Sequence, residues 1–282
     1  MVNPDRFVDN DRDMGLMSGA LFSLGAAAWL FDEPRFAERA ANVARVWFIA
    51  PATRMNPQLE YGQAVRGRNT GRNAGILDSR TLIRAAQGLR FPEASGRWNA
   101  GERDAARRWF AESLKWLTTS EKGTGEMRRG NNHATWWAVQ AASQAGFAGG
   151  AEAEERVRAW RRRELVPRQI EPGGSCPREE ARTKSLSYSA FNLDAFTLLC
   201  RPAEARGVDL RRYRPPGGAG AAEAVACLRL TSRTPPRGPN SRSAVSSRMR
   251  RTSWRSPAWA SASGATSIYT AGLPGRRPPG SG

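Results

Sequence analysis

Histidine occurs once in 282 residues, as His133, and cysteine and lysine three times each. Cys176, Cys200 and Cys227 are widely spaced, so they build no disulfide framework and read as free thiols, with one bridge at most. A single imidazole and no close cysteine pair do not fit a zinc site. No segment alternates apolar and polar residues in the manner of a half-buried strand, which argues against a β or α/β fold. The long uncharged run, Gly15 to Phe31, follows Asp9-Asn10-Asp11-Arg12-Asp13 rather than a basic leader, and it is short for a membrane span. It reads as a buried helix of a soluble protein, its small residues suited to close packing. No other stretch looks like an export signal, and no membrane partner is expected.

Acids and lysines are missing altogether from Thr231 to Gly282, which carries nine arginines among many Ser and Pro. Two readings fit: a basic low-complexity tail, disordered on composition, or a GC-rich coding region read out of frame. The expected division is therefore a domain over 1–230 and this tail over 231–282. The net charge of +18 draws polyanions, whether nucleic acid, anionic membrane or acidic polysaccharide. Half of that charge lies in the tail, and no nucleic-acid reader motif accompanies it, so nucleic acid is not the expected partner.

What is present is helical periodicity. Met14 to Phe31 and Arg35 to Ile49, split by Asp32-Glu33-Pro34, form a helical hairpin. Helices follow over Ile76 to Leu89, Gly101 to Thr119, Ala134 to Phe147, Ala151 to Leu165 and Arg178 to Cys200, with Pro202 to Asp209 closing the pattern. That makes about seven helices in antiparallel pairs. Pro51 to Gly75 has no periodicity, and a loop of that length inside a compact domain is usually functional. It offers Asn56, Gln63, Arg66, Arg68, Asn69, Arg72 and Asn73, donors suited to carboxylates and hydroxyls, or else a plain solvated surface.

Two segments carry candidate chemistry. In the first, a polar loop over Thr118 to Gly130 delivers Asn131-Asn132-His133 to the start of a helix, with Asn131 or Asn132 as its cap. Unpaired N–H groups and the positive dipole end favour an anion there. His133, Trp136, Trp137 and Gln140 share one helical face. That face is either a sugar-binding surface or two core tryptophans beside a structural histidine. In the second, Glu179 to Asn192, an ideal helix puts Lys184 on the face of Tyr188 and Arg182 about 120° away. A nearby cation would favour the phenolate and an acid/base role; the alternative is a ring in the core with its hydroxyl at the surface.

Four stretches in order resemble the alginate lyase domain family, the all-helical polysaccharide lyases with an α/α toroid fold. They are Thr53-Arg54-Met55-Asn56-Pro57, Arg66-Gly67-Arg68-Asn69-Thr70-Gly71-Arg72, Asn131-Asn132-His133 with Thr135-Trp136, and Ala181 to Ser189 (ARTKSLSYS). The resemblance covers about residues 5 to 215 and implies an all-α, incomplete α/α toroid of antiparallel helical hairpins, shortened at the N-terminus relative to the family. It implies β-elimination of a uronate polymer such as polymannuronate, polyguluronate or glucuronan, by a cofactor-free monomer. Asn132 and Arg182 would neutralise the uronate carboxylate, His133 would act as base or assist neutralisation, and Tyr188 would protonate the leaving oxygen and could be the base. Substrate-binding residues would be Gln63, Arg66, Arg68, Asn69, Arg72, Asn131, Trp136, Trp137, Gln140 and Lys184. The family implies a periplasmic or secreted protein, and a cytoplasmic one if Met1 is the true start. A non-catalytic binder of anionic polysaccharide, or an inactive remnant, is the alternative.

Overall fold

Two glycines set the closest helix approach in the first part of the chain. A Cβ on Gly25 would stand 2.1 Å from the carbonyl oxygen of Gly88, and one on Gly88 would stand 2.5 Å from the backbone of Leu21. Helices α1 (Asp9–Phe31) and α3 (Leu82–Ala94) therefore touch backbone to backbone, which any side chain at these positions would prevent. The structure, a computed structural model, describes residues 9–94, 96, 98–204 and 207–233. The expected tail thus lies outside the described residues from 234 onward. Among the described residues there is no strand, only an isolated bridge between Val65 and Asn69, and the all-α class holds.

The chain forms two compact units. Among the described residues the first draws on 9–129 and 133–159, the second on 130–132 and 160–233. In the first, α1 packs on α3 and, across the short turn at Asp32, on α2 (Pro34–Ala44). Met14, Met17, Leu21 and Ala28 are buried, but Leu16, Leu30 and Phe31 are 63%, 57% and 66% exposed. The expected buried helix is therefore only half-covered, because α2 and α3 reach one side of it. By length and composition alone α1 could also cross a membrane, a test that a core helix passes equally.

The centre of this unit is aromatic. A π-helical turn, Arg45–Ile49, extends α2 and carries Phe48 against Trp109 and Phe110 of α4 (Ala100–Thr119), with ring centroids 4.7 and 5.2 Å away. Phe110 meets Phe147 of α6 (Asn132–Ala148) edge to face at 5.0 Å. Each such burial contributes about 1.5–3 kcal/mol over an exposed position. The Asn99 side chain caps α4 by accepting the Glu102 N–H at 3.2 Å. Where a polar loop was expected, Ser120 accepts the Gly123 N–H at 3.0 Å and starts the short α5 (Glu121–Met127). A 3-10 helix, Asn73–Thr81, likewise replaces the end of the expected loop.

α7 (Ala151–Trp160) does not stop at the expected Leu165. It continues through a π turn, Arg161–Leu165, into α8 (Val166–Gln169), where Pro167 falls in the first turn, a place that needs no N–H. The second unit then holds α9 (Pro177–Glu180), α10 (Ser185–Glu204) and α11 (Ala221–Arg233), with α10 packed on both others. The single helix expected over Arg178 to Cys200 is two helices broken at residues 181–184. α11 has no counterpart among the expected elements. Its start is marked by Glu223, whose carboxylate accepts the Gly220 N–H at 2.8 Å. Arg161 is buried here, its guanidinium donating to the Leu210 carbonyl at 3.1 Å and the Cys200 sulfur at 3.4 Å, and burial lowers its pKa from the ordinary value.

Candidate functional site

The turn before α6 is held in the second unit by a carboxylate 47 residues further on. Glu179 and Asn132 are both 1% exposed. The Asn132 backbone N–H donates to Glu179 Oε1 at 2.5 Å, and its Nδ2 donates to both carboxylate oxygens at 3.0 Å. Bonds to an ionised acceptor are the stronger class, and here they also satisfy a first-turn N–H of the helix. The anion expected at this helix start is therefore the chain's own Glu179, not an open seat for a ligand. A second buried support reaches the same turn: Asn192 Nδ2 donates to Gln169 Oε1 at 2.9 Å, and Gln169 Nε2 donates to the Asn131 carbonyl at 3.1 Å. A Cβ on Gly130 would lie 2.3 Å from Nη1 of the exposed Arg178, whose side-chain end can move aside.

The break between α9 and α10 sets the other residues of this unit. The Arg182 N–H donates to the Glu179 carbonyl at 3.1 Å, closing a turn that carries the residue holding Asn132 directly into the one beside Tyr188. The Arg182 guanidinium lies over the Tyr188 ring at 4.1 Å. The ideal-helix expectation of a 120° separation fails because residues 181–184 are not helical. Lys184, expected on the face of Tyr188, instead precedes the helix, and its carbonyl accepts the Tyr188 N–H at 3.0 Å. Arg182 and Lys184 are exposed, and Tyr188 is half-buried at the first turn of α10.

In the first unit, His133 turns its Nδ1 to Oε1 of Glu126, the next-to-last residue of α5. Glu126 is 0% exposed, and its Oε2 lies 3.2 Å from Arg129 Nε. α5 also anchors the long loop: Lys122 Nζ donates to the Glu60 carbonyl at 2.7 Å and pairs with its carboxylate. Arg66, Arg68, Asn69 and Arg72 are exposed on that loop. Asn69 builds the loop tip, its N–H donating to the Val65 carbonyl at 3.0 Å and its Oδ1 accepting the Gly71 N–H at 3.1 Å. Gln63, at a positive φ of 57°, donates its side-chain amide to the Ala74 carbonyl and to Asp78. It ties the loop base to the 3-10 helix.

Trp136, Trp137 and Gln140 are not a surface. They are 6%, 3% and 1% exposed. Trp137 Nε1 donates to the Leu117 carbonyl at 3.2 Å, Gln140 Nε2 to the Ile76 carbonyl at 3.1 Å, and Ser79 donates to Gln140 Oε1 at 2.6 Å. α6 is buried nearly all round, its polar Thr135, Gln140 and Gln144 included, so the face it shares with His133 is covered like the rest. The sugar-binding reading of these three is replaced by packing.

A family profile described as alginate lyase matches residues 1–235. The chain belongs to the alginate lyase family. It is also similar to the crystal structure of an alginate lyase from Bacteroides ovatus, determined at 1.60 Å resolution, with a TM-score of 0.75 and 29% identity. That likeness covers 80% of this chain and 60% of the solved one, so the chain spans less than two thirds of its solved relative. No curated protein matches. For an alginate lyase family chain, the two residues that the sequence left without a role are Glu126 and Glu179. Glu179 adjoins the recognised ARTKSLSYS stretch, but nothing local points it at Asn132. Glu126 lies seven residues before His133 across a helix break, where no periodicity rule relates the two.

Proposed function

We propose that this chain is a polysaccharide lyase that cleaves alginate or a related polyuronate by β-elimination. The observation that carries the reading is the family match across the segments that hold Asn132, His133, Arg182 and Tyr188. The chemistry needs removal of the uronate C5 proton and expulsion of the C4 oxygen. The proton leaves from beside a carboxylate, so the carbanion forms only if that charge is neutralised by preorganised donors. Arg182 supplies such a donor, His133 serves as base or as a further neutralising group according to the epimer, and Tyr188 protonates the leaving oxygen; Asn132, whose donors Glu179 holds in this structure, joins them only by exchanging that carboxylate for the uronate's.

In this reading the exposed Arg66, Arg68 and Arg72 meet the acidic polymer along the loop that α5 anchors. The chain acts as a monomer in the periplasm or outside the cell, where such polymers occur. The direct test follows the ultraviolet absorbance of the conjugated C4=C5 uronate with polymannuronate, polyguluronate and glucuronan as substrates. Product from any of the three is the expected result. A folded sample that binds these polymers and yields none would make the chain a non-catalytic binder instead.

A further inference from the structure

The His133–Glu126 pair carries more than a contact. An ionised carboxylate can only accept hydrogen bonds, so the imidazole nitrogen it meets must carry the proton. Here that nitrogen is Nδ1. The other carboxylate oxygen is paired by charge with Arg129 Nε at 3.2 Å but accepts no hydrogen bond from it. The carboxylate is fully enclosed, while the His133 side chain keeps 15% exposure. The charge lies inside the fold, and the ring is the part that reaches outward.

We propose that Glu126 is a positioning residue that holds neutral His133 as its Nδ1–H tautomer, so that Nε2 is the nitrogen able to accept a proton. The pairing is also anchored in place. Glu126 belongs to the seven-residue α5, capped at one end by Ser120 and tied through Lys122 to Glu60 at the loop base. The ring orientation is thus set by the same short helix that carries the loop anchor. This inference rests on the role proposed above for His133, but its measurement does not depend on activity.

The chain has one histidine, so ¹⁵N-labelled protein gives one imidazole in a long-range ¹H–¹⁵N correlation spectrum. Recorded at a pH above the titration of the ring, the spectrum is expected to show a protonated Nδ1 and a bare Nε2. A protonated Nε2, or the averaged shifts of two exchanging tautomers, would overturn the proposal without any variant being made. Glu126→Leu sharpens it. With no acceptor left beside Nδ1, nothing holds the proton on that nitrogen. The ring should then switch to the Nε2–H tautomer, and kcat should fall by between about tenfold and about 10⁴-fold with KM little changed, the range seen for carboxylate partners of functional histidines. An unchanged tautomer in folded Glu126→Leu protein would refute the proposal. If the wild-type tautomer is as expected but no polyuronate is cleaved, the lyase reading fails and the tautomer assignment stands.

Discussion

Glu179 accepts three hydrogen bonds from a single residue, Asn132, and both partners are almost fully enclosed. The acid that holds the turn before α6 thereby sits three residues from Arg182, which covers Tyr188.

Glu179→Ala leaves the Asn132 N–H and carboxamide buried without an acceptor. Each unsatisfied buried donor costs about 1–3 kcal/mol, so a clear fall in the denaturant midpoint is expected. Glu179→Gln keeps one acceptor oxygen and should lose less. Equal stability of Glu179→Ala and wild type in urea unfolding would show that the contact contributes nothing.

Tyr188→Phe removes the hydroxyl and keeps the ring beneath Arg182. Stability should stay within about 0.5 kcal/mol of wild type, as for changes that create no cavity or unpaired group. Product formation should drop to background while polymer affinity, measured by calorimetry, is retained. Full activity in this variant would remove Tyr188 from the proton-transfer role.

Trp137→Ala separates the packing role from a sugar-contact role. A buried tryptophan lost to alanine costs about 3–5 kcal/mol, whereas an exposed sugar platform would lose affinity and leave stability intact. The thermal unfolding curve should shift far downward. A stable, folded variant with weakened polymer binding would restore the surface reading.

Cys176 gives a prediction in the thiol chemistry. Burial, with Glu180 and Glu179 adding to it, pushes its pKa up to about 12. The thiolate is the reactive form, and at pH 9 it amounts to about 0.1% of such a group. Alkylation of native protein at pH 8–9 should leave Cys176 unmodified in the mass spectrum, and labelling should appear only after denaturation. Cys200, raised by burial as well, should behave the same way.

Much of the helical framework was readable because it rests on periodicity. α4 alternates faces cleanly, and Trp109, Phe110, Leu114 and Leu117 are buried where the pattern puts them. The hairpin of α1 and α2 followed from Asp32-Glu33-Pro34. α5 was hidden because its seven residues include two glycines, and its cap at Ser120 shows only once the chain has folded back. α11 was hidden because its Ala-rich run adjoins a segment of a different composition. The break at residues 181–184 has no local signal, because the surrounding residues are acceptable helix formers; beside it Glu179 turns inward to Asn132.

The candidate residues divide in the same way. Asn132, His133, Arg182 and Tyr188 could be named from residue type, order and family resemblance, since chemistry of this kind is written in local motifs. Their partners could not, because a carboxylate finds its donor through space. Glu179 reaches Asn132 across 47 residues, and Glu126 reaches His133 across a helix break. Trp136, Trp137 and Gln140 show the converse. Helical spacing puts them on the face of His133, but whether that face meets solvent or core is settled by what packs against it. Ile76, Ser79 and Leu117 come from other helices, and they close it.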